Sequence, residues 1–281
     1  MIKYLPLRRK FLFALIAAIL VISSFLFTAT LPASASPSSN PPPFTRVFAA
    51  PSEVTKYAAD WPLPNKDYAN TRATMDSAIN SNNIDTLGVA WAVPMPGRGI
   101  FGGVSTSPIM MGDPAYLQDL SNNIFAIDME TGAVKWQKFH NNSNIGPNGI
   151  AVGYGKVFGS SDPYNIVALD MNTGEQLWQT QVSSHPTTGV DIQPGIYGDL
   201  VLISTVPGTS GGDFYTGGGI GTIYALDEAN GDIVWSFDTV DTPDIWGNPD
   251  VNSGGGSWYP PAIDTETKTS YWGIGNPAPW P

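Results

Sequence analysis

The chain has 281 residues, of which 13% are charged, with 30 glycines, 25 prolines and a formal net charge of −11. That glycine and proline load excludes a helical repeat and fits an all-β, loop-rich protein, while the nine scattered basic residues after residue 35, against 24 acidic ones, exclude a nucleic-acid surface. With no cysteine, disulfides and a lipid-modified N-terminal cysteine are both ruled out, so stability has to come from a packed core.

The chain opens with Lys3, Arg8, Arg9 and Lys10, continues through an apolar run from Phe11 to Ala29, and reaches Ala33-Ser34-Ala35. A basic start, an apolar middle and a small-residue cleavage site make residues 1–35 an export signal. Arg8-Arg9 partly matches a twin-arginine signal, but Leu7 stands where Ser or Thr is usual, and ordinary secretion is the preferred reading. An uncleaved anchor is the alternative, because the run is about long enough to span a bilayer. The expected location is periplasmic or extracellular, with no membrane span after signal cleavage. Cleavage removes four basic residues and no acidic ones, leaving a charge of −15. Residues 36–59 are rich in Pro and Ser and read as a linker. Nothing between residues 60 and 281 marks a further boundary.

Within that domain one pattern recurs three times, as Asp128/Gly132/Trp136, Asp170/Gly174/Trp178 and Asp227/Gly231/Trp235. Each copy starts with an alternating apolar run, such as Ile166-Val167-Ala168-Leu169, whose β-branched composition predicts a strand. The Asp-x-x-Thr/Asn-Gly that follows is turn chemistry: the carboxylate bonds nearby amides and Gly tolerates positive φ. The residues up to Trp return as a second strand, closing a hairpin. The copies lie 42 and 57 residues apart, so the third carries an insertion. A repeat of this length, with a Trp that buries about 150–250 Å², predicts four-stranded blades cemented by Trp in a β-propeller. Residues 60–281, at about 42 residues per blade, make about five blades. The final run, Asn276 to Pro281, reads as a loop with no closing strand, and the expectation is the N-terminal part of a longer propeller.

Several other chemistries find no pattern. His140 and His185 have no second His nearby for a zinc site. Ser160 and Ser257 lie in no Gly-x-Ser-x-Gly elbow. Asp238, Asp241 and Asp244 lack the Gly and Glu of a calcium loop.

Two further segments flank the repeats. One runs Asp60-Trp61-Pro62, Asp67-Tyr68-Ala69-Asn70-Thr71-Arg72 and on to Ala90-Trp91; the other runs Gly254-Gly255-Gly256-Ser257-Trp258-Tyr259-Pro260-Pro261 to Gly273-Ile274-Gly275-Asn276-Pro277. With the cassettes, they make residues 60–281 resemble the quinoprotein alcohol dehydrogenases. The resemblance implies about five blades of an expected eight, with pyrroloquinoline quinone (PQQ) and calcium near the propeller axis. It implies oxidation of an alcohol or polyol by hydride transfer to PQQ, with electrons passed to a cytochrome or another acceptor. Trp258 matches the family's tryptophan under the quinone ring, and Asn276 matches an amide-oxygen calcium ligand. On composition alone, Trp258 reads as another packing Trp and Asn276 as a turn residue before Pro.

The chain departs from that pattern in several places. The family's adjacent cysteine pair cannot exist here, and Asn148 stands where an Arg usually binds the cofactor. Ser105-Thr106-Ser107 precede Pro108 in place of a cofactor-contacting Glu. Thr216 falls near the position of a calcium-binding Glu, which makes Asp213 the replacement metal ligand that the loop offers. Arg98, in the Gly-rich loop 96–99, is the candidate cation for the PQQ carboxylates, with a solvated loop cation as the plain alternative. The family's catalytic Asp falls after residue 281, so no catalytic residue is assigned. Two functions follow: a divergent exported dehydrogenase, or a non-catalytic propeller scaffold that has lost its cofactor.

Overall fold

The computed structural model describes residues 48–75, 77–99, 101–186, 188–207, 219–240 and 254–275. The export signal and residues 36–47 therefore lie outside the described residues. Among the described residues no helix is long and apolar enough to cross a membrane.

After a short helix α1 (Ser52–Lys56), the first blade is β1 (Ile109–Met110), β2 (Ala115–Gln118), β3 (Ile124–Ile127) and β4 (Val134–Lys138), antiparallel in that order. The second is β5 (Ile150–Gly153), β6 (Lys156–Asp162), β7 (Asn165–Asp170) and β8 (Gln176–Gln181). Then come β9 (Thr188–Gly189), β10 (Gly195–Tyr197), β11 (Leu200–Ser204), β12 (Val206–Pro207), β13 (Thr222–Asp227) and β14 (Ile233–Asp238). The third blade has the order β10-β11-β13-β14, and the insertion adds a separate β9–β12 ladder beside it. Strands β15 (Ala262–Asp264) and β16 (Thr269–Tyr271) pair as a hairpin and lead into the next blade.

Burial runs with strand position. Strands β3, β5 and β7 are almost wholly buried, while the last strands β4, β8 and β14 expose most of their residues. A continuous apolar core through the first three blades includes Tyr116, Phe158, Ile166 and Ile203.

Each cassette performs two jobs. The Asp closes the turn: the Asp128 carboxylate accepts from the Thr131 amide at 2.8 Å, Asp170 from the Thr173 amide at 2.9 Å, and Asp227 from the Ala229 amide at 2.9 Å. The Trp then docks onto the turn of the following blade. Indole N–H groups of Trp136 and Trp178 donate to the carbonyls of Met171 and Glu228, both at 3.0 Å. Their rings rest on Gly174 and Gly231, where an added Cβ would meet ring carbon at 2.6 and 2.7 Å. Trp91 repeats the arrangement one blade earlier, donating to Met129 O at 2.9 Å and covering Gly132. The cassette Ala also has its reason: Ala126, Ala168 and Ala225 sit opposite the Trp of the same hairpin, and the strand register shifts just after each.

Dividing chain length by repeat length predicts about five blades; the described residues hold three complete four-stranded blades, the β9–β12 ladder and one further hairpin. The insertion lengthens the third repeat, and residues 60–108 make isolated pairings in place of a ladder, such as Trp61 with Met110. The segment read as a linker is packed from Phe48 onward. Pro51 and Val54 are buried, and the Glu53 carboxylate accepts from the Gly155 amide at 2.8 Å.

Candidate functional site

The chain enters the first strand of every blade from one end of the propeller, and those approaches converge. The residues two positions before β1, β5, β10 and β15 are Ser107, Asn148, Gln193 and Pro260, and all four line one cavity of about 330 Å³. Ser105 and Trp258, four positions before β1 and β15, line it too. Residues Trp61, Asn65 and Arg72, from the segment preceding the blades, cover another side. A propeller concentrates its innermost strands at the axis, so equivalent positions of successive blades meet there although they lie about 40–50 residues apart in sequence.

Hydrogen bonds tie this ring together. Gln193 Nε2 donates to Ser107 O at 3.0 Å and to Ile150 O at 2.9 Å, linking three blades. Asn148 is fully buried; its Nδ2 donates to Asp119 O at 2.8 Å and to Asn122 Oδ1 at 3.1 Å. Those bonds fix the amide orientation and leave Asn148 Oδ1 with no partner. Beneath them, the buried Asp119 carboxylate is consumed by the amides of Gly97, Ser121 and Asn123 and by Asn123 Nδ2. It is a structural brace.

The sequence-predicted site residues separate. Trp258 is half-buried and lines the cavity, apart from the seams that the repeated Trp residues fill. Arg98 is exposed on its loop, where its amide donates to Ser121 Oγ at 3.0 Å, and it is not among the lining residues. Asn276, Asp213 and Thr216 lie outside the described residues. No cluster of three or more His, Cys, Asp or Glu side chains forms among the described residues. Burial lowers the basicity of His140, which is not among the residues lining the cavity.

Sequence reasoning missed Arg72, Asn65 and Gln193 as cavity residues. One signal for Gln193 was present: a proline follows Ser107, Gln193 and Pro260 at the same step before the first strand. Arg72 and Asn65 lie before the repeats, where no internal alignment reaches.

Known proteins bear on this arrangement. The family model of the glucose/ethanol/alcohol dehydrogenase β-propeller domain matches residues 61–153, and that of outer membrane protein assembly factor BamB matches residues 141–245. A lanthanide-dependent methanol dehydrogenase of Methylacidiphilum fumariolicum is 28% identical over 81% of this chain and 42% of its own length. The quinohemoprotein alcohol dehydrogenase of Comamonas testosteroni is 27% identical over 79% of this chain and 34% of its own. The chain is therefore similar, over part of their length, to the PQQ-dependent alcohol dehydrogenase-like β-propellers. Its fold agrees: the crystal structure of the Comamonas testosteroni enzyme superposes with a TM-score of 0.68 over 81% of this chain at 24% identity, covering 37% of that chain. A europium-containing methanol dehydrogenase superposes with a TM-score of 0.65 at 24% identity, over 80% of this chain and 44% of its own. The chain thus spans about two fifths of the length of the curated relatives it matches.

The cavity suits the family's cofactor in part. Its volume lies at the lower end of the ~300–1,000 Å³ usual for small-molecule sites. Two indoles, four hydroxyl side chains and one guanidinium line it, a donor-rich set for a flat polycarboxylate. The buried, unpartnered amide atoms Asn65 Nδ2 and Asn148 Oδ1 mark two positions where a ligand would complete the hydrogen bonding.

Proposed function

We propose that the axial cavity binds PQQ and that the protein is an exported dehydrogenase acting on an alcohol or polyol. The observation that carries the reading is the meeting of Trp258 with the donors of Ser105, Thr106, Ser107 and Arg72 at one cavity. When bound, PQQ supplies the acceptor for the substrate's hydride. Trp258 offers a flat aromatic surface to a planar ring system, and the hydroxyls offer donors to its carboxylates. Asn276 and Asp213 are the proposed ligands of a hard cation, for which amide and carboxylate oxygens are the fitting donors. The sequence reading is calcium; one relative is named lanthanide-dependent, so both cations belong in the test. A methanol dehydrogenase subunit of Paracoccus denitrificans carries cytochrome c in its name, which supports a cytochrome as electron acceptor.

The test is titration of the purified full chain with PQQ in calcium or lanthanum, following tryptophan quenching, then dye reduction with a panel of alcohols. Uptake is expected, and Trp258→Ala is expected to weaken it at least ~30-fold, about 2 kcal/mol. A full chain that takes up no PQQ under either cation is the non-catalytic scaffold instead.

A further inference from the structure

Building on the reading of the axial cavity as a site for a planar anion, we infer that Arg72, oriented by Asn65, is the carboxylate-binding residue of that site, and that the ligand also carries a ring N–H. Arg72 is the single charged side chain among the residues lining the cavity. Exposed at the cavity, its guanidinium is the lining group that would attract an anion in a chain of net charge −11. Among the described residues Arg72 makes no ion pair. Its Nε donates to Asn65 Oδ1 at 3.1 Å, leaving the terminal N–H groups of the guanidinium fork for a carboxylate. The same bond fixes the Asn65 amide, whose Nδ2 is buried without a partner beside the same cavity.

The backbone is arranged to hold this pair. Arg72 adopts a φ of 54°, and its amide donates to Asn65 O at 3.1 Å, closing the loop on itself. Asp67 braces the turn by accepting from the Thr71 amide at 3.0 Å and from the Thr71 hydroxyl at 2.5 Å. Asn70 Nδ2 reaches Pro260 O at 3.5 Å, and the Ile263 amide donates to Tyr68 O at 2.7 Å. The arginine loop is thereby tied to the segment that carries Trp258.

The other unpartnered atom has the opposite polarity. Asn148 Oδ1 is an acceptor locked in place, which a ligand donor would satisfy in place of water. A planar aromatic acid with a ring N–H meets all three demands: carboxylate to Arg72 and Asn65, N–H to Asn148, ring to Trp258.

Two probes separate this inference from the cofactor reading: PQQ itself, and indole-2-carboxylate followed by ligand-observed NMR with indole as the uncharged control. Arg72→Gln is expected to weaken both acids at least tenfold and to flatten the salt dependence of binding, with Arg72→Lys intermediate and Lys138→Gln without effect. Asn65→Ala is expected to weaken both acids several-fold. Unchanged melting temperatures check that the variants fold. If Arg72→Gln binds PQQ like the parent while Trp258→Ala does not, the inference falls and the cofactor reading stands. If indole-2-carboxylate binds in an Arg72-dependent way and PQQ does not bind, the cofactor reading falls and the inference stands. Binding of neither acid overturns both.

Discussion

A tryptophan ring lying on a glycine is the repeated contact of this propeller, and both halves of it are chemically demanding. Gly174 sits at φ +73° with the Trp136 ring 2.6 Å from where its Cβ would be. Gly155 has a nearly equal φ, +71°, but open space around it. The two positions therefore separate backbone strain from ring contact. Gly155→Ala is expected to cost about 1 kcal/mol, the penalty of a left-handed residue alone. Gly174→Ala should cost about 3 kcal/mol or more, because the Trp must also leave its seat. Urea unfolding midpoints at equal slope measure both, and equal costs would refute the docking role. Trp136→Ala should likewise cost about 3 kcal/mol through the lost contact and its bond to Met171 O. Trp258, which lines the cavity, is expected to change ligand binding far more than stability when truncated.

At the level of the hairpin, the carboxylate of each turn is tuned by the bonds that shape it. Asp128 is drawn down to about 2, first by the Thr131 hydroxyl, then by the Thr131 amide and Lys135. Asp170 is lowered chiefly by the Asn172 and Thr173 amides, and Asp264 chiefly by Thr267. These are acids whose folded-state values fall below the unfolded value of 3.8. The stability they contribute is present above 3.8 and is lost as the pH falls toward about 2. A denaturation series from neutral to strongly acidic pH should show a plateau and then a decline in that window. Asp128→Asn, which retains an acceptor oxygen for the turn, should keep the fold and make the decline shallower. An unchanged acid limb would mean that the turn carboxylates do not carry the effect. The hairpins were the most legible part of the chain, because turn chemistry is local: Asp, Thr and Gly at fixed offsets select one backbone path wherever they occur. The first two strands of each blade vary in sequence between copies, and no internal repeat marks them.

On the scale of the whole molecule, blades stack around an axis and their first strands bring distant loops together. Ligand binding there should act on the entire stack. PQQ at about 100 times its dissociation constant adds about 2.7 kcal/mol to the folded state. For a domain of this size that raises the melting temperature by about 5–10 °C. Calorimetry of the full chain with and without PQQ checks this, and Trp258→Ala should erase the shift. An unshifted parent melt would count against the axial site as the cofactor's place.

Sequence alone determined the all-β class, the cassette and its turn, the docking tryptophans and the family resemblance, since each rests on residues close in the chain or on a period that repeats. It also singled out Trp258, which breaks the period. Where those blades meet was a matter for the tertiary structure. Arg98 and Arg72 are both exposed arginines in polar loops, with nothing local to tell them apart. The fold places only the second at the cavity, because Trp61 pairs beside β1 and residues 68–70 are tied to Pro260 and Ile263. Local chemistry selects a turn or a strand, but a binding site on a propeller axis is assembled from chain segments that share no sequence neighbourhood.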